Sequence, residues 1–163
     1  MSVTIRRAAF EDARAIADFA LKLVVQHRQY DARRFSRLAT EKQAERFYGN
    51  QTNAGDAAVL VAELKGEIVG FAYLQYEARD YANLLENAAW LHDIYVDEAA
   101  RGLNAGKLLI ERAIETARDL GANKLMLSVA AKNQFAKDFF ERRGFRTTMV
   151  EMMFSLTEEK GND

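Results

Sequence analysis

The sequence predicts one α/β domain built on a mixed, mostly antiparallel sheet with helices on both faces. Three observations carry that assignment. Apolar runs of strand length alternate with stretches whose apolar residues recur at helical spacing. Two of those runs, 57–64 and 68–76, flank the tight turn Lys65-Gly66-Glu67, a hairpin signal. The runs that begin at Trp90 and Lys124 are separated by a helix, so they form a parallel pair. A chain of 163 residues, 49% hydrophobic and 29% charged, has the apolar material for one packed domain and is too apolar for disorder.

Taken in order, 3–8 reads as a first strand. Glu11 and Asp12 suit a helix start, where carboxylates meet the positive end of the macrodipole. Ile16, Phe19, Ala20, Leu23 and Val24 recur at helical spacing and carry that helix to about His27. Positions 28–39 are polar and arginine-rich, a linker, and a second helix follows over 40–48. The loop 50–56 (N-Q-T-N-A-G-D) leads into the hairpin. A polar connection spans 77–87, and the central strand 90–96. The next helix has Leu109, Ile110, Ala113, Ile114, Ala117 and Leu120 on one face and stops at Gly121. A strand at 124–130, a helix over 134–143 and a last strand at 145–156 complete the domain. That last strand sits at a sheet edge and leaves a homodimer open. The charged tail, 157–163, is expected to fray.

Composition removes several function classes. A formal net charge of −1 offers no electrostatic basis for non-specific nucleic-acid binding. The absence of cysteine excludes disulfides, cysteine-type zinc sites and a cysteine acyl-enzyme, and it fits a reducing, cytoplasmic setting. With only His27 and His92, a histidine-rich metal cluster is excluded too, and no metal is expected. The N-terminus does not read as a signal peptide, because Arg6, Arg7, Glu11 and Asp12 interrupt its apolar stretch. No apolar run approaches the ~20 residues needed to span a bilayer.

The segment from Trp90 to Leu120 organises the rest. Strand, glycine-bearing turn and helix in that order make an anion site. The first helical turn has backbone N–H groups without intrahelical partners, and the macrodipole adds positive charge. The Walker loop is excluded: Gly102 and Gly106-Lys107 are one residue too close, and Leu108 supplies no hydroxyl for magnesium. The dinucleotide fingerprint G-x-G-x-x-G is absent.

The turn resembles that of the GCN5-related N-acetyltransferases (GNAT): Gln or Arg, two residues, Gly, one residue, then Gly or Ala. Arg101 takes the first position and Gly106 the last. Asn104 replaces the middle glycine, and asparagine tolerates left-handed backbone better than most residues. A second signature of that family is Asn, two residues, Ala, two residues, an apolar-aromatic pair, three residues and Gly-Phe. It is matched from Asn133 to Phe145, one strand later. The resemblance covers nearly the whole chain. It implies that the parallel pair splays at its C-terminal ends and takes the pantetheine arm of acetyl-CoA between the strands. Ile94, Tyr95 and Val96 would supply backbone to that arm, and a backbone N–H near Val96 would meet the thioester oxyanion. Arg101, Gly102, Leu103, Asn104, Ala105, Gly106 and Lys107 would hold the pyrophosphate. Asn133 would bond the arm, although capping of its own helix explains that residue equally well.

Amine acetylation needs a deprotonated amine, a stabilised oxyanion and a stabilised leaving thiolate. His92 is the candidate base, directly or through a water. Members of this family that acetylate arylalkylamines carry histidine at that position. The competing assignment is a hydrogen-bonded core histidine. In a regular strand Trp90, His92, Ile94 and Val96 share one face and Asp93 lies on the other. A bulge would re-aim Asp93, the second catalytic candidate. Phe140 occupies the position where many members have a tyrosine that protonates the thiolate. Phenylalanine has no proton to give, so the acid stays unassigned, with Tyr95 or water as alternatives. The acceptor is expected to be a small-molecule or peptide amine. It would enter near Asp31, Glu77, Asp80, Glu86, Tyr76 and Tyr81, while Arg28, Arg33, Arg34 and Arg37 in that region could favour an acidic one. Two alternatives stand beside transfer by direct attack in a ternary complex. One is a catalytically weak acyl-CoA sensor or scaffold of the same fold. The other is an unrelated α/β domain that holds a nucleotide phosphate.

Overall fold

The computed structural model describes residues 2–37 and 39–157, so tail positions 158–163 lie outside the described residues. Five strands form one sheet in the order β1-β2-β3-β4-β5. They are β1 (Thr4–Arg7), β2 (Ala57–Leu64), β3 (Glu67–Asp80), β4 (Leu85–Val96) and β5 (Lys124–Leu127). The helices are α1 (Ala13–Tyr30), α2 (Glu41–Gln51), α3 (Ala105–Asp119) and α4 (Gln134–Glu141). The first four strands pair antiparallel, and β4 pairs β5 in parallel.

The sheet separates two cores. In β2, residues 57–62 are all buried, and the period of two sends alternate side chains to opposite faces. Ala58, Leu60 and Ala62 join Leu109, Ile110, Ala113 and Ala117 of α3. Ala57, Val59 and Val61 join Ile16, Ala17 and Phe19 of α1 and Ala44 and Tyr48 of α2. Helix α2 starts from a reciprocal cap. The Thr40 hydroxyl accepts from the Gln43 backbone N–H at 3.3 Å, and the Gln43 side chain accepts from the Thr40 N–H at 2.9 Å. Ala44 and Tyr48, four positions apart on one face of α2, both point into this core.

Arg6 fastens the first strand. Its guanidinium donates to Glu63 of β2 at 2.9 Å and to Asp12, at the head of α1, at 2.7 Å. The Asp12 carboxylate also accepts from the Ala9 backbone N–H at 2.7 Å. The hydrogen bond from Arg6 holds the Asp12 carboxyl below its usual range. A depressed folded-state pKa means the native state binds fewer protons than the unfolded chain, so this contribution is complete above the unfolded carboxylate's pKa. It is lost as pH falls through the folded value, below about 4. Asp12→Ala is therefore expected to cost about 1–2 kcal/mol at pH 7 and progressively less in acid. Urea melts of both proteins at pH 7 and pH 3 check this.

Three sequence expectations are corrected. The stretch 77–87 is not a loose connection: β3 and β4 continue through it, with Arg79 opposite Glu86 and Glu77 opposite Ala88, and the turn is confined to 81–84. Polar residues read as loop, yet a ladder exposed on one face accommodates them. The strand at 124–130 stops at Leu127. Residues 145–156 form no strand. Their β-propensity is real, but a strand needs an edge to pair with, and in this chain they meet none.

Candidate active site

The parallel pair opens where the central strand changes its register. Pairing between β4 and β5 runs from Ala88 opposite Lys124 to Leu91 opposite Leu127 and ends there. β4 continues to Val96, paired only on its β3 side through Asp93–Tyr73, Ile94–Ala72, Tyr95–Phe71 and Val96–Gly70. Residues 92–96 therefore present one unladdered edge toward the gap. Tyr73 pairs with Asp93 and Leu74 with Leu91, so His92 is the extra residue of a bulge.

The bulge corrects the shared face expected for Trp90, His92, Ile94 and Val96. Ala89 and Leu91 lie in the α3-side core, and after the extra residue Ile94 and Val96 pack against that same core. His92 stacks on Tyr73 at 5.5 Å and on Trp90 at 6.5 Å between ring centroids. It is exposed, which removes the buried core histidine as its explanation. Asp93 turns to the α1–α2 side, where the Tyr48 hydroxyl donates to its carboxylate at 2.7 Å. Both catalytic candidates thus come together on one side of the sheet.

Burial raises the Asp93 carboxyl above its ordinary range, while the Tyr48 hydrogen bond and the nearby His92 and His27 oppose the rise. Burial, then the Asp93 and Asp56 charges, push the Tyr73 phenol up to about 12. Tyr48 rises further for the same reasons, burial first and then Asp93. Both tyrosines stay neutral donors at neutral pH. Phe47 closes the cluster edge-on, 5.1 Å from Tyr48 and 5.5 Å from Tyr73. The result is a carboxylate held against a cluster of aromatic rings, beside an exposed imidazole.

β4 leads into the anion turn. Gly102 has φ 78° and Asn104 φ 62°, so asparagine occupies the left-handed position directly before α3. The Leu103 N–H reaches Ala100, and the Leu108 N–H reaches Asn104. Between them, the N–H groups of Asn104, Ala105, Gly106 and Lys107 have no backbone acceptor among the described residues. A β-carbon at Gly106 would sit 3.3 Å from the Phe139 ring, so glycine there lets α3 and α4 close on each other. An open cleft of about 390 Å³ adjoins this turn, lined in part by Gly102, Leu103, Asn104 and Lys107. Arg101 lies 3.7 Å from the Glu98 carboxylate, both well exposed.

The second signature divides. Asn133 caps α4, its Oδ1 accepting from the Ala136 N–H at 3.0 Å. Phe140 is buried in the α3-side core, its ring 5.3 Å from Phe139 and 5.6 Å from Phe145. Tyr95 packs on the other face, 5.4 Å from Phe19. Much of the charge expected at the acceptor mouth is engaged locally. Asp31 accepts from the Arg33 and Arg34 backbones, Asp80 from Asn83, and Arg28 donates to the Phe35 carbonyl. Sequence reading missed Tyr48 and Tyr73. The signal for Tyr73 is its place opposite Asp93, but that register cannot be counted once 77–87 is read as a loose connection between β3 and β4.

Residues 22–145 match the model of the acetyltransferase (GNAT) family. The chain belongs to that family. This GNAT is 31% identical to the uncharacterised N-acetyltransferase YhfO of Bacillus subtilis (strain 168), over 88% of this chain and 89% of that one. Other curated relatives align over about 55% of this chain and less than two-thirds of their own length. Its fold is that of the BH1408 protein of Bacillus halodurans, with TM-score 0.81 and 20% identity over 94% of this chain and 99% of that one. It is also that of the aminoglycoside N-acetyltransferase AAC(6')-Iy, with TM-score 0.76 and 17% identity over 94% and 93%; that structure is a complex with CoA. Membership in the family supports acetyl transfer as the chemistry of this GNAT. Among the described residues, no helix is long and apolar enough to cross a membrane.

Proposed function

We infer that this GNAT transfers the acetyl group of acetyl-CoA to a primary amine by direct attack, with both substrates bound and no acyl-enzyme. The observation that carries the reading is the end of β4–β5 pairing at Leu91–Leu127, five residues before β4 runs out toward the glycine-bearing turn. The open edge at Ile94, Tyr95 and Val96 offers backbone groups to an extended amide-containing arm. The N–H groups from Asn104 to Lys107, with Arg101 nearby, offer an anion site for the pyrophosphate. The Asn133 cap occupies only Oδ1 and leaves its Nδ2 end to donate to the arm. Phe140 serves as packing beneath the site rather than as a proton donor.

His92 takes the proton of the incoming amine, directly or through a water. Asp93, half-buried and hydrogen-bonded by Tyr48, attracts the ammonium form. The surrounding rings of Tyr48, Tyr73, Phe47 and Trp90 favour a cationic amine with an apolar or aromatic body. With no proton on Phe140, the thiolate leaves unprotonated or takes its proton from water.

The test is release of free CoA thiol against a panel of polyamines, aminoglycosides, arylalkylamines, amino acids and peptides. The protein contributes no thiol background, because it has no cysteine. The expected result is release with arylalkylamines above polyamines. Saturable acetyl-CoA binding without release for any amine would favour the sensor reading, which the buried Phe140 supports.

A further inference from the structure

Arg143, in the turn that closes α4, is held in place at a cost. Its side chain is half-buried, and arginine is seldom taken out of water without a partner. The guanidinium carbon stands 3.6 Å from the centre of the Phe139 ring, a cation–π contact. Nη1 donates to the Phe139 carbonyl at 2.8 Å, which satisfies one of the acceptors left over at the helix end. Nε is buried and has no hydrogen-bond partner among the described residues. Nη2 has none either, but it is not shut off from solvent. Capping of α4 therefore uses one nitrogen of the head and leaves Nε and Nη2 without an acceptor. Those two are the adjacent fork with which an arginine takes oxygens of a phosphate or a carboxylate. An unmet buried donor costs stability unless something supplies the acceptor.

The charge sits beside the anion turn. The Phe139 ring that carries the guanidinium also abuts Gly106, where a β-carbon would lie 3.3 Å from it. One aromatic ring thus separates the guanidinium from a turn whose N–H groups lack backbone acceptors. The turn's own cations are already opposed. Arg101 lies 3.7 Å from Glu98, and Lys107 lies 3.9 Å from Glu111. Arg143 forms no ion pair among the described residues. It brings uncompensated positive charge to a place that the start of α3 already makes favourable for an anion.

We propose that Arg143 binds a phosphate of the cosubstrate's nucleotide end, together with the N–H groups of the turn. This rests on the acetyl-CoA reading above and adds a residue to it, at one of the three unspecified positions before Gly144. CoA carries a diphosphate and a ribose 3′-phosphate, and a guanidinium suits either. The stack on Phe139 and the bond from Nη1 fix the head before a ligand arrives, so little side-chain freedom is lost on binding. Arg143 binds and orients, and it moves no proton.

Titration calorimetry on the full chain compares CoA, dephospho-CoA, which lacks the 3′-phosphate, and pantetheine, which has no phosphate. Arg143→Gln is expected to weaken CoA binding about tenfold. Arg143→Lys is expected to fall between that variant and wild type, because it restores the charge without the fork. Pantetheine affinity is expected to be the same in all three proteins. A loss confined to CoA places the contact at the 3′-phosphate, and an equal loss with dephospho-CoA places it at the diphosphate. If Arg143→Gln does not fold, the wild type decides by nuclear magnetic resonance. The Arg143 Nε–H signal is expected to shift when CoA is added and to stay in place with pantetheine. A signal that CoA leaves unmoved overturns the proposal. So does an Arg143→Gln protein that binds CoA as wild type does, or one that loses CoA and pantetheine alike; in each case the acetyl-CoA reading stands. A wild type that binds no CoA removes both.

Discussion

Gly70→Ala is expected to lower stability by about 2–3 kcal/mol and to raise KM for acetyl-CoA about tenfold or more. Gly70 sits in β3 opposite Val96. A β-carbon there would lie 2.6 Å from the Tyr95 carbonyl oxygen, 3.3 Å from the Val96 Cα and 3.6 Å from Leu109 of α3. The first two are backbone atoms that cannot swing aside, and Leu109 is fully buried. The strain can be relieved only by moving β4 at Tyr95 and Val96, the open edge assigned to the pantetheine arm. Stability and cosubstrate affinity therefore fall together. Thermal unfolding and acetyl-CoA saturation curves are the measurements. A variant with unchanged melting temperature and unchanged KM would show that the edge of β4 is not where the cosubstrate binds.

His92→Ala is expected to lower kcat about 100-fold while leaving KM for acetyl-CoA within about twofold, because the ring is exposed and supports little of the fold. Asp93→Asn separates the two candidates. Its carboxyl is raised in the folded state, so the native protein binds more protons than the unfolded chain between the ordinary and raised values. Stability therefore falls as pH rises through that window, and the amide removes the fall. Asp93→Asn is expected to be at least as stable as wild type near neutral pH, yet weaker in KM for the amine. Turnover that survives His92→Ala but collapses with normal amine KM in Asp93→Asn would make Asp93 the proton acceptor.

What could be read from the sequence was what depends on short-range pattern. The helical periodicity of α3, the Lys65-Gly66-Glu67 turn, the parallel relation of β4 and β5, and the left-handed tolerance of Asn104 are local properties, and the structure shows each. The bulge at His92 is different. It is set by which residue of β3 faces which residue of β4, and β3 runs four residues beyond its expected end, to Asp80. One extra residue then moves Asp93 to the α1–α2 face, against Tyr48, a partner 45 positions earlier. Residues 145–156 show the opposite limit. Their composition says strand, but composition carries no information about whether an edge is available to receive them.

The division of the interior by the sheet has a consequence for how this protein can change. Residues of the amine side, such as Tyr48 and Tyr73, pack with α1 and α2, whereas Leu109, Ile110 and Phe140 pack under the anion turn on the other face. Few side chains belong to both groups. Substitutions on the two sides should combine with nearly additive effects on stability. A lineage could therefore explore new acceptors by repacking one layer, with the machinery for its shared cosubstrate left undisturbed across the sheet.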